Sequence, residues 1–98
     1  FIERFPSVER VAMLKTEVLG PDQVRLVAEV EFHGGVLIDR EQIQHEAERI
    51  RNGDLDPLPA LVDAAARTVR IMGKEINKLE RTLRKEFPQL TSIEIEVN

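Results

Sequence analysis

The chain has 98 residues, 42% of them apolar and 33% charged, a mix that fits one compact domain and excludes a disordered or fibrous chain. A net charge of −4 argues against a generally basic nucleic-acid-binding surface. The absence of cysteine excludes a disulfide framework, a thiolate metal site and a cysteine nucleophile.

No apolar run approaches the ~20 residues that cross a bilayer, and no charged-then-apolar signal opens the chain. Phe1-Ile2-Glu3-Arg4-Phe5-Pro6 reads as the end of a helix cut from something longer, so the chain is expected to be a fragment. From Val11 to Val18, Ala12, Leu14, Thr16 and Val18 alternate with Lys15 and Glu17, which predicts a strand. Gly20-Pro21-Asp22 predicts a turn. Val24, Leu26, Ala28, Val30 and Phe32 then alternate with Arg25, Glu29, Glu31 and His33, predicting a second strand with one dry and one wet face. The two strands are expected to form an antiparallel hairpin.

Gly34-Gly35 ends the second strand. Asp39 and Gln42 form a capping pair for a helix with Ile43, Ala47 and Ile50 on its apolar side, and Asn52-Gly53 stops it. Asp56-Pro57 opens a longer helix, predicted to run to about Phe87 before Pro88. Along it Val62, Ala65, Val69, Met72, Ile76, Leu79 and Leu83 recur at alternating steps of three and four, which predicts a core-facing stripe. Arg67, Arg70, Lys74, Lys78, Arg81 and Lys85 form a second stripe, expected to face solvent. A final strand carries Ile93, Ile95 and Val97 inward, with Ser92, Glu94 and Glu96 outward. A right-handed crossover places it parallel to the second strand. The expected fold over residues 1–98 is α+β: a ferredoxin-like open-faced sandwich, with a three-stranded mixed sheet and helices on one face.

Ser7 and Ser92 lie in no nucleophile motif, and no glycine-rich phosphate loop is present, so no enzyme is expected. The candidate metal ligands are His33, Glu31, Glu94 and Glu96, all assigned to the wet face; one imidazole with carboxylates suits zinc or manganese. The plain alternative is a solvated sheet face. His45, beside Glu41, Glu46 and Glu48, is read as exposed rather than ligating. A free-standing nucleic-acid-binding module using the basic long helix is the rival reading. Four phenylalanines with no tyrosine or tryptophan speak against it, as does the acidic net charge, so no nucleic-acid partner is expected.

Phe5-Pro6-Ser7-Val8, the turn Leu19-Gly20-Pro21-Asp22-Gln23-Val24 and the strand that follows resemble the start of the C-terminal domain of cation diffusion facilitators. Ala28-Glu29-Val30-Glu31-Phe32 with Gly34, and the helical stretch from Met72-Gly73-Lys74-Glu75 to Leu79-Glu80, are most similar to the zinc transporter 9 branch. The resemblance implies a regulatory and dimerising domain on the cytoplasmic side of a proton-coupled divalent metal exporter, with zinc as the expected cargo. It implies two partners, a second copy and the transmembrane domain of the same polypeptide. The positions matching the family's metal-binding histidines hold Gln44, next to His45, and Glu96, so zinc is expected to bind weakly, with His33 as anchor.

Overall fold

The computed structural model describes Phe1 to Asn98. Strands β1 (Val8–Gly20) and β2 (Gln23–Phe32) pair antiparallel around a two-residue turn at Pro21-Asp22. Proline there presets φ for the turn. β1 is longer than its alternation predicts because it is irregular. The register shifts between Val8 and Arg10 and again between Val11 and Met13. Each shift adds one residue to β1, and side chains alternate with a period of two. Val8, Val11, Leu14, Thr16 and Val18 therefore all stand opposite the inward residues of β2, from Phe32 back to Val24. Ala12, expected inward, falls instead in the second bulge without a paired partner.

β3 (Ser92–Val97) runs parallel to β2, giving the sheet order β1-β2-β3, with Ile93 opposite Leu26 and Ile95 opposite Ala28. The chain between β2 and β3 is helical. α1 (Gly34–Leu37) is a single turn that was not foreseen, and it tucks Leu37 against the long helix. α2 (Arg40–Arg51) is capped as its sequence predicts: the Asp39 carboxylate accepts the Gln42 N–H at 3.1 Å. It ends at Gly53, whose φ of +80° is the left-handed conformation that favours glycine. α3 (Pro57–Glu86) starts on proline, which has no N–H to leave unbonded.

Leu79 and Leu83 of α3 pack on Leu26, Ala28 and Val30 of β2, joined by Val8 and by Ile2 from a 3-10 turn at Ile2–Arg4. Phe1 and Phe87 close one end edge to face, their centroids 5.5 Å apart. This is the expected α+β sandwich of ferredoxin-like type, its three-stranded mixed sheet covered on one face. The core is shorter than the apolar stripe, however. Val62 and Val69 are 63% and 68% exposed, and Ala65 is exposed as well. A 30-residue helix is about 45 Å long, more than the sheet can cover. The N-terminal half of α3 thus runs past the sheet, in a molecule measuring 62 × 21 × 20 Å.

Candidate metal site and interaction surfaces

The outer face of the sheet is a lattice of ion pairs. Glu31 accepts two bonds from the Arg10 guanidinium, at 3.0 and 2.8 Å, and a third from Asn98 Nδ2 at 3.3 Å. Arg25 donates to Glu94 at 2.8 Å, and Lys15 lies 2.9 Å from Glu17. Between them Val27 is only 9% exposed, so this face is not uniformly wet. Its register partners Lys15 and Glu94 carry long aliphatic stems that can shield it. Hydrogen bonding from Arg10 holds the Glu31 carboxyl below its ordinary value of 4.5, and Lys15 does the same for Glu17. A carboxyl whose folded pKa is depressed stabilises the fold above its unfolded value, and that stability is lost as pH falls through the folded one. Denaturant midpoints are therefore expected to hold steady above about pH 5 and to fall below about pH 4.5. Arg10→Gln is expected to reduce the acid-sensitive part. An unchanged pH profile in that variant would remove Glu31 from the explanation. Both pairs are exposed, so the effect is small and weakens in salt.

The four proposed metal ligands do not converge. His33 lies beyond the end of β2, at the N-cap of α1, where its backbone N–H donates to the Ser7 carbonyl at 2.8 Å. Its nearest carboxylate is Glu9, with Nδ1 4.0 Å from Oε1. Glu31 is occupied by Arg10 and Asn98, and Glu94 by Arg25. Glu94 also sits opposite Val27, five residues before the end of β2, and so roughly 16 Å back along the strand. Glu96 stands opposite Glu29, with neither in an ion pair. No three His, Cys, Asp or Glu side chains are grouped to hold a metal ion. The physical reasons are the length of the sheet and the arginines that compete for two of the carboxylates. His45 lines a shallow recess of about 290 Å³ with Asp39, Glu41 and Gln42, where the Asp39 carboxylate already caps α2. Calorimetry is expected to show no saturable zinc binding at micromolar metal, in the wild type or in His33→Ala. Tight binding abolished by that substitution would restore His33 as a ligand.

The basic stripe of α3 is also broken. Arg67, expected to face solvent, is turned towards α2, where its guanidinium binds the Glu46 carboxylate and bonds Asp63 one turn back at 2.6 Å. The Arg67 and Glu46 side chains retain only 18% and 12% of their exposure. Hydrogen bonding to Glu46 raises the pKa of Arg67 still further, so the guanidinium stays charged. The remaining cations of the stripe are exposed and interleaved with Glu75, Glu80 and Glu86. Sequence reasoning missed Glu46 because an acidic residue on a short helix reads as surface. The Asp63–Arg67 spacing of four was the available hint. A concavity of about 650 Å³ lies between the sheet and the C-terminal end of α3 and is lined mostly by apolar side chains, including Ile2, Leu14, Leu26 and Phe87.

Fold and surfaces together define a small α+β domain with an open face and one helix much longer than its sheet. No family model matches the chain, and no solved structure does. It is similar over nearly its whole length to known metal transporters. "Proton-coupled zinc antiporter SLC30A9, mitochondrial" of Mus musculus is 27% identical over 104 residues, covering 98% of this chain and 18% of that protein. The protein of the same name in Homo sapiens is 25% identical over 103 residues. "Metal tolerance protein C4" of Arabidopsis thaliana is 24% identical over 107 residues, covering all of this chain and 23% of that protein. The chain spans about a fifth of the length of these relatives. The resemblance to cation diffusion facilitators therefore extends along the whole chain, with the zinc antiporter among its matches.

Proposed function

We propose that the chain is the C-terminal domain of a divalent metal cation efflux transporter, most plainly one for zinc, and that it serves pairing and regulation rather than transport. The observation that carries this reading is likeness across at least 98% of the chain to proteins of which it forms about a fifth. No helix here is long and apolar enough to cross a membrane, so the transport path belongs to the rest of such a polypeptide. In the full protein, transport is proton-coupled, the domain hangs on the cytoplasmic side, and its role in the pair is binding rather than catalysis.

The test is made on the parent polypeptide. Its coding sequence upstream of Phe1 is expected to specify several apolar spans of ~20 residues. Proteoliposomes carrying it are expected to exchange zinc for protons, with slower exchange when residues 1–98 are removed. An upstream sequence without apolar spans would overturn the transporter reading. Unchanged exchange and pairing after the deletion would overturn the regulatory one.

A further inference from the structure

The free cations of α3 form a row rather than a scatter. Arg70, Lys74, Lys78, Arg81 and Lys85 recur at steps of four, four, three and four. At 3.6 residues per turn they fall within an arc of about 80° and extend for about 22 Å. The row lies opposite the apolar seam of α3, which runs from Leu58 to Leu83, and all five residues are exposed. Glu75, Glu80 and Glu86 alternate with these cations along the chain, but each stands at least about 60° off their line. Glu75 and Glu80 are half-buried as well.

A solvated helix face has no need of this order. Neighbours three and four apart stabilise a helix when their charges are opposite and destabilise it when they are alike. Every step along this row joins two like charges, and none of the five is in an ion pair. By contrast Arg10, Lys15, Arg25 and Arg67 each meet a carboxylate. From Arg67 to Lys85 seven basic residues stand with two acidic ones, in a chain whose net charge is −4. Positive charge is thus gathered on one side of an otherwise acidic molecule, which orients that side towards a polyanion.

The chemistry of the row says which polyanion. Clusters of about four to eight Lys and Arg on an amphipathic helix are attracted to anionic lipid headgroups. The apolar side of this half of α3 is engaged by the sheet, where Leu79 and Leu83 are buried, so contact is made by charge alone and nothing inserts into the hydrocarbon. Nucleic acid fits less well. The only rings in the chain are four phenylalanines, none of them on the row, so no ring there stacks on bases.

We propose that the row docks the domain on the anionic headgroups of a lipid bilayer, the transporter reading given above being the reason a bilayer lies within reach. Tethering to membrane spans raises the effective concentration of headgroups, so contacts that are weak for the free chain suffice in the parent protein. The acidic remainder is repelled by the same surface, which fixes the side that docks.

Flotation with vesicles tests this on the 98-residue chain. At low ionic strength it is expected to bind vesicles of phosphatidylcholine mixed with phosphatidylserine and not vesicles of phosphatidylcholine alone. Release is expected near about 1 M salt, where the Debye length is about 3 Å. Lys74→Gln, Lys78→Gln and Arg81→Gln together are expected to weaken binding on the order of 100-fold, about fivefold for each cation near the surface. Arg10→Gln, Lys15→Gln and Arg25→Gln remove the same charge from the outer face of the sheet and are expected to leave binding nearly unchanged. Glutamine is a good helix former, and removing like charges from the row is expected to raise the thermal midpoint at low salt. A lower midpoint would show that the row serves the fold and would overturn its docking role. Equal losses in the two triple variants would overturn the row as the docking surface. Tighter retention of a DNA duplex than of the vesicles at matched salt would assign the row to nucleic acid instead. Absence of binding to the phosphatidylserine vesicles at low salt would overturn the docking and leave the transporter reading to the upstream sequence. Vesicle binding by a chain whose parent lacks apolar spans would uphold the row and remove the transporter.

Discussion

Leu79→Ala is expected to lower the free energy of unfolding by about 2–5 kcal/mol, the range for removing a large buried aliphatic side chain. Leu79 is 1% exposed and lies where α3 meets the sheet, against the fully buried Ala28 and Val30 of the central strand. The strands and the helix have few ways to close over the space it leaves. For a domain of this size each kcal/mol shifts the melting temperature by roughly 4–8 °C. Leu79→Met keeps most of the volume and is expected to cost less than about 1.5 kcal/mol. The same truncation at Leu58, 70% exposed on the same seam, is expected to change the stability of the single chain by no more than about 0.5 kcal/mol. Equal losses at the two positions would mean that the overhang is packed within the chain.

Arg67→Ala is expected to release α2 while leaving the sheet in place. α2 turns Glu46 rather than an apolar residue towards α3, and Ile43 and Ala47 remain exposed. Removing the guanidinium leaves the Glu46 carboxylate poorly solvated and without its partner, the costly way to break a shielded pair. Amide exchange in α2 is expected to speed up on the order of tenfold or more, with protection in β2 unchanged, as local opening requires. A double change, Arg67→Met with Glu46→Leu, removes both charges and is expected to recover much of the protection. Loss of protection in β2 as well would show that α2 and the sheet unfold as one unit, against the separation seen here.

The legible parts of the fold were those in which neighbours along the chain determine the outcome. The alternation of β2, the Asp39–Gln42 cap, the Gly53 stop and the Pro57 start each follow from local sterics and hydrogen bonding, and each is found where the residues place it. The likeness to metal transporters was legible in the same way, in short motifs on the turn, on β2 and on α3. The irregular start of β1 was not, because a bulge is settled by pairing with the other strand. The spacing of the candidate metal ligands was not legible for a related reason. Glu31, Glu94 and Glu96 do share the outer face of the sheet with one another, but register and competing arginines set their distances, and His33 leaves the strand before it can join them.

By itself the sequence determined that α3 is one long helix with one apolar seam, since a four-three repeat between Pro57 and Pro88 admits no other regular structure. Only the tertiary structure decided which half of that seam is core. A six-residue parallel strand and a hairpin cover the length that carries Leu79 and Leu83 and no more. Periodicity records that a face is apolar, whereas burial depends on how far the neighbouring sheet extends. The same limit placed Arg67 against Glu46 in a contact 21 residues apart in the chain, where helix spacing alone had put it in solvent.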